Sequence, residues 1–115
     1  MLDLIAQTIF DKKGMNILTL DVRGISSITD YIVLAEGNVD RHVNAISDAV
    51  AKELKEHGHQ PLFVEGKRQS NWIVMDYVDV IVHVFTPEVR QKYALEQIWK
   101  DAKVVDVNIQ VETAS

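Results

Sequence analysis

Tyr31-Ile32-Val33-Leu34-Ala35 is an unbroken, β-prone apolar run, bounded by Gly37. A strand with one wet face alternates apolar and polar residues; a run without alternation reads as a strand buried on both faces. That segment commits the chain to a sheet with cover. The cover is legible as helical spacing. Leu2, Ile5, Ala6, Ile9 and Phe10 share one helical face, and Gly14 supplies the expected stop. A longer helix starts at Asp40, the expected N-cap, carries Val43, Ile46, Ala49, Val50 and Leu54 as its buried stripe, and ends at Gly58.

Further strands are expected over residues 17–22 and 61–65, the second opening on Pro61, a position that spares a ladder hydrogen bond. A polar loop follows over residues 67–70. Two strands, 71–75 and 80–85, then flank Asp76-Tyr77-Val78-Asp79 and read as an antiparallel hairpin. Thr86-Pro87-Glu88 begins a last helix, with Thr86 as cap, that runs to about Trp99. The strand-helix-strand unit over residues 31–65 implies two parallel strands. The expected fold is α/β: a mixed β-sheet of about five strands with helices packed on it. Residues 1–103 form its single domain. Residues 104–115 form a β-prone C-terminal tail, in which Val105, Val107, Ile109 and Val111 alternate with polar residues. That tail reads as an edge strand or as an extension awaiting a partner.

Composition narrows the chemistry. With 115 residues and no cysteine, disulfides and cysteine-based metal sites or nucleophiles are excluded. Seventeen acids against twelve bases give a net charge of -5, and the only basic clusters are the pairs Lys12-Lys13 and Lys67-Arg68. Direct nucleic-acid binding as the main contact needs a basic face, so a basic protein is the better-matched partner. The N-terminus lacks the early basic residues of a signal peptide, and no stretch approaches a membrane span. A cytoplasmic location and no membrane contact are expected.

The candidate working surface is the hairpin over residues 71–85. Alternation puts Trp72 and Val74 on one face and Ile73 and Met75 on the other. Ile81, His83 and Phe85 share a face, opposite Val80, Val82 and Val84. Turn tips favour glycine, asparagine and aspartate, so Tyr77 and Val78 at this tip are anomalous. Exposed rings beside carboxylates suit protein binding, since a rigid ring gives contact area at low entropic cost. The same residues have plainer structural readings. A strand tryptophan such as Trp72 is more often core than interface, Asp76 and Asp79 are most often turn formers, and His83 reads as a hydrogen-bonded core or half-buried ring.

Catalysis and metal binding find little support. Gly24-Ile25-Ser26-Ser27 faintly echoes the Gly-Ser opening of nucleotidyltransferases, which hold metal with two carboxylates two residues apart on one strand. Asp76 and Asp79 are three apart and flank a turn, and Asp21 is followed by Arg23 where a second acid would stand. His83 has no companion at ligand spacing. No glycine-rich phosphate loop is present. The expectation is no enzyme, no cofactor and no metal, with a residual nucleotidyltransferase-like enzyme using Asp76 and Asp79, and so binding nucleotide with a divalent metal, as the rival.

Several segments in register resemble the ribosomal silencing factor, or Iojap, family. They are Leu20-Asp21-Val22-Arg23-Gly24-Ile25-Ser26-Ser27, Thr29-Asp30-Tyr31, Asp40-Arg41-His42-Val43-Asn44-Ala45-Ile46, Glu65-Gly66, the whole stretch from Trp72 through Phe85, and Arg90-Gln91-Lys92-Tyr93-Ala94-Leu95-Glu96-Gln97-Ile98-Trp99. The resemblance implies a protein that binds the large ribosomal subunit through ribosomal protein fourteen. It implies that binding blocks joining of the subunits and represses translation under nutrient limitation. It also implies a fold related to nucleotidyltransferases and self-association as a homodimer. Carried onto this chain, Trp72 and Tyr77 are the expected apolar anchors and Asp76 and Asp79 the partners of basic side chains. Met75 and His83 border the patch. Val78 departs from a common glycine, and His42 from a common glutamine.

Overall fold

The computed structural model describes residues 1–66, 71–93, 97 and 99–110. Helix α1 (Leu2–Asp11) leads into β1 (Met15–Asp21) and β2 (Tyr31–Glu36). Helix α2 (Asp40–Glu56), β3 (Phe63–Glu65), β4 (Trp72–Asp76), β5 (Val80–Phe85), α3 (Pro87–Tyr93) and β6 (Lys103–Val104) follow. The six strands form one sheet in the order β3-β4-β5-β2-β1-β6. β2 and β5 run parallel at its centre, and every other neighbouring pair is antiparallel. β3 does run in the same sense as β2, as a crossover requires. It lies at the sheet edge, however, because the β4–β5 hairpin is inserted between them. The expected loop at 67–70 and the continuation of the last helix through 94–96 and 98 lie outside the described residues, as does Val111.

β2 is buried from Ile32 to Glu36, with Tyr31 half-buried, and its two faces feed two cores. Val33 and Ala35 join Ile5 and Ile9 of α1, Val43, Ile46, Val50 and Leu54 of α2, and Ile73, Met75, Val82 and Val84 of the hairpin. Ile32 and Leu34 face the other way, with Leu20, Val22, Phe85 and Val89, and with Leu18, Trp72, Trp99 and Ala102 packed at the margin. In α2 the stripe includes Ser47 while Ala49 is only half-buried; the Ser47 hydroxyl donates to the Val43 carbonyl at 2.9 Å, which satisfies it inside the core.

The helix ends differ from expectation in instructive ways. At α1 the left-handed residue is Lys13 (φ 66), not a glycine. The N–H of Gly14 reaches the Ile9 carbonyl and that of Lys13 the Phe10 carbonyl, the paired bonds of a Schellman motif. Gly14 is required for space, since a Cβ there would collide with Ile9. At α2, Gly58 (φ 84) occupies the left-handed position, as its sequence place predicts. The N-cap of α2 is Val39, with no side-chain cap bond, and Asp40 is the first helical residue. His42 instead fastens the residue before the cap. Its Nδ1 accepts the Asn38 N–H at 2.9 Å, which leaves the proton on Nε2 to donate to the Lys12 carbonyl at 2.7 Å. This imidazole therefore ties the start of α2 to the end of α1.

Arg90 of α3 locks the sheet's centre to that helix. Its Nη1 donates to Glu36 Oε2 at 2.8 Å and to the Asn16 carbonyl at 2.9 Å, with both charged side chains largely buried. Asn16, left-handed (φ 49), sits in the irregular register of β1 between Met15 and Leu18 and donates to the same carboxylate.

Beyond β6, residues 105–110 belong to no assigned strand, although the Val105 N–H still donates to the Thr19 carbonyl of β1 at 2.8 Å. The Asn108 N–H donates to Asp3 Oδ1 at 3.0 Å, and Gln110 exchanges two bonds with the Gln7 side chain of α1. Val105, Val107 and Ile109 are half-buried and Asp106, Asn108 and Gln110 exposed. The alternation in the tail is thus realised as a strap over a helix, with side chains of α1 replacing a neighbouring strand.

Candidate partner-binding surface

The β4–β5 ladder pairs Trp72 with Phe85, Ile73 with Val84, Val74 with His83, Met75 with Val82 and Asp76 with Ile81. With a period of two, this register sends Ile73, Met75, Val82 and Val84 under the helices and Trp72, Val74, Ile81 and His83 to the opposite face. There these four are half-buried; among the described residues, Val89 of α3 and Trp99 pack in the cluster that takes in Trp72. Rings gather on that face. Trp72 lies 5.2 Å from the Tyr93 ring and 6.1 Å from His83, and His83 lies 5.7 Å from Trp99. Tyr93, 50% exposed, is the outermost of them.

His83 is held neutral. Burial drives its pKa down to about 4. The Trp72 Nε1–H donates to its Nδ1 at 3.1 Å, a bond available only when that nitrogen carries no proton. The ring is therefore a hydrogen-bonded brace between the two strands, in line with the plain structural reading.

The turn has an unusual construction. Asp76 Oδ1 accepts the Val78 N–H at 2.7 Å, while the Asp79 N–H closes onto the Tyr77 carbonyl at 2.9 Å. The second bond spans two residues, so Val78 is forced to φ 74, the strained form of a γ-turn for a β-branched residue. The consequence is a split tip: Val78 is 57% exposed and Tyr77 only 6%. Exposure of Tyr77 is thus corrected. Its ring packs in the helix-side core, burial raises its phenol pKa, and its hydroxyl has no hydrogen-bond partner among the described residues. Asp76 and Met75 are buried too, so neither offers a free side chain in the isolated chain. Asp79 is exposed, and its carbonyl accepts the N–H groups of Asp30 and Tyr31, fixing the tip to β2.

Of the six expected site residues, Trp72 and His83 line the open face and Asp79 stands at the tip. Met75, Asp76 and Tyr77 lie behind as its support. Exposed apolar side chains not anticipated as part of the surface flank the tip. Leu62 and Phe63 sit next to Asp76 through the Leu62 N–H to Asp76 carbonyl bond and the Phe63–Asp76 register, and Ile28 precedes the Asp30 that bonds Asp79. A lone apolar residue in a Ser-rich turn or just after a proline was the available signal.

Asp21 is engaged by Arg23 at 2.7 Å, which pulls its pKa down to about 2. Ser26 Oγ accepts the Ile28 N–H. No three His, Cys, Asp or Glu side chains among the described residues converge as metal ligands. No described helix is long and apolar enough to cross a membrane.

A mixed sheet covered by two helices on one face, with an aromatic strand pair left partly open on the other, makes this an α/β protein with one half-covered sheet face. The chain belongs to the family described as ribosomal silencing factor during starvation, whose model matches residues 1–115. It is 37% identical to ribosomal silencing factor RsfS of Bacillus subtilis over 94% of this chain and 92% of that protein. It is 36% identical to RsfS of Haemophilus influenzae over 86% of this chain and 97% of that one. A crystal structure of a Chromobacterium violaceum protein superposes with a TM-score of 0.82 at 32% identity, covering 96% of this chain and 90% of that chain. The family assignment expected from the motifs is therefore correct.

Proposed function

We propose that this chain silences ribosomes by occlusion. It docks on the large ribosomal subunit through ribosomal protein fourteen, blocks joining of the subunits and so represses translation when nutrients are limiting. Membership of the silencing-factor family carries the reading, and the partly open hairpin face supports it. In this proposal Trp72 and Tyr93 give the apolar contact, Val78 and Asp79 the tip, and His83 the brace. Met75, Asp76 and Tyr77 preorganise the turn, which spares the cost of ordering it on binding. The acidic balance suits a basic protein partner, and the cytoplasm is the proposed site of action.

Sedimentation with purified large subunits tests the assignment, with subunit joining measured in parallel. Trp72→Ala and Asp79→Lys are each expected to weaken binding about thirtyfold if they remove an interface anchor. Near-ultraviolet circular dichroism establishes that the variants are folded. Folded variants that bind as well as the parent would remove the hairpin from the interface. A second copy of the chain on the same face is the competing partner; light scattering with and without large subunits separates the two contacts.

A further inference from the structure

We propose that the docking surface continues past the hairpin, where Phe63, Leu62 and Ile28 form a second apolar anchor for a basic protein face. This deepens the ribosome-docking reading above and rests on it. β2, β3 and β5 run in one sense and β1 and β4 in the other. The starts of the first three and the ends of the last two therefore meet at one end of the sheet. Three connections close that end: the residues leading into β3, the turn over 77–79 and the loop over 22–30. Of the ten exposed large apolar side chains among the described residues, five stand there: Leu62, Phe63, Val78, Ile25 and Ile28. Single exposed apolar residues need no explanation, whereas their concentration at one end of a sheet marks a surface that a partner covers.

The register joins this end to the ring-bearing face. Phe63 stands opposite Asp76, which stands opposite Ile81; Glu65 stands opposite Val74, which stands opposite His83. Directly opposed residues share a face, so Phe63 lies on the face that carries Trp72, Val74, Ile81 and His83. It extends that face to the sheet's edge, where β3 has no outer neighbour in the sheet. The connections are also tied to one another. The Leu62 N–H donates to the Asp76 carbonyl, and Asp76 Oδ1 accepts the Val78 N–H. The Asp79 carbonyl accepts the N–H groups of Asp30 and Tyr31. From β3 to β2 is three strand spacings, about 14 Å, so one protein partner spans the row. Its anchors are held in place before binding, which lowers the cost of ordering them.

The charges set the partner. Asp79 follows Val78, Asp30 follows Ile28 by two residues, and both are exposed. Neither carboxylate is paired among the described residues, and the cation of the loop, Arg23, is already engaged by Asp21. Two free carboxylates beside an apolar row attract a face whose apolar side chain is flanked by lysine or arginine. The same carboxylates repel a phosphate backbone, which makes the contact one with protein and not with ribosomal RNA.

Sedimentation of the whole chain with purified large subunits tests this, with Trp72→Ala run beside the new variants and near-ultraviolet circular dichroism verifying each fold. Phe63→Thr should weaken binding about tenfold, as should Leu62→Ser combined with Ile28→Ser. Asp30→Lys should weaken it about tenfold too, and flatten its fall with rising salt. Val39→Ser, which removes an exposed apolar residue at the opposite end of the sheet, should bind as the parent does. Loss confined to the end variants keeps this anchor and removes the hairpin face. The proposal is overturned if the end variants bind as the parent while Trp72→Ala does not; the hairpin reading then stands alone. If Trp72→Ala and the end variants are all neutral, both fall. An equal loss in Val39→Ser also overturns it, because the effect is then not specific to this end. Light scattering of the isolated chain gives the last check. A drop from dimer to monomer in Phe63→Thr, with ribosome binding unchanged, would assign the patch to a second copy instead.

Discussion

His83 should make this protein lose stability in mild acid, by an amount its surroundings set. Folded, its pKa is pushed from 6.5 to about 4 by burial, with the Trp72 N–H occupying Nδ1. Unfolded, it recovers the ordinary value. Between those pH values the unfolded chain binds a proton that the folded chain refuses, so stability falls as pH drops and levels off below the folded value. At about 1.4 kcal/mol per pH unit, this single ring costs about 3 kcal/mol across the window. For a domain of this size that is roughly ten degrees or more in Tm. The perturbation is His83→Gln, whose amide oxygen can still accept the Trp72 N–H but does not titrate. Urea denaturation of parent and variant at matched pH between 6.5 and 4.5 isolates the effect, since the other titrating groups are common to both. The parent's stability should fall more steeply than the variant's by close to one proton. Parallel curves would refute the burial argument and put His83 in contact with solvent.

Three further outcomes follow from particular contacts. Val78→Gly should stabilise the protein by about 1 kcal/mol in thermal or urea melts, because relief of the left-handed strain outweighs the entropy of a glycine. Arg90→Ala should cost about 3 kcal/mol or more in the same melts, since it leaves Glu36 buried without its cation. Replacing Asp3 and Gln7 together by alanine should release residues 105–110. Amide hydrogen exchange at Asn108 and Gln110 would then accelerate strongly while the exchange of β2 stays unchanged.

Much of the architecture was legible because it rests on local periodicity. The unbroken run at Tyr31–Ala35 implies burial on two sides, and the two cores take alternate residues of that strand. Alternation assigned the faces of Trp72 and His83, and the glycine at position 58 marked the end of α2. The ordered motifs named the family. What periodicity cannot encode is which strand lies beside which. β3 and β6 take the edges and β2 meets β5 across a long stretch of sequence, choices made by pairing and packing among distant segments.

The hairpin tip shows the same division at one turn. Its position was written in Asp76-Tyr77-Val78-Asp79, together with the oddity of two bulky residues there. Which of the two faces water depended on a short-range bond from Asp79 to Tyr77 and on the space beneath α1 and α2, so the valine rather than the tyrosine became the exposed one. The sequence alone determined the elements, their faces and the family, because each follows from residues close together or in a recognisable order. Only the tertiary structure decided which side chains remain available to a partner, because exposure is what is left after every other segment has packed.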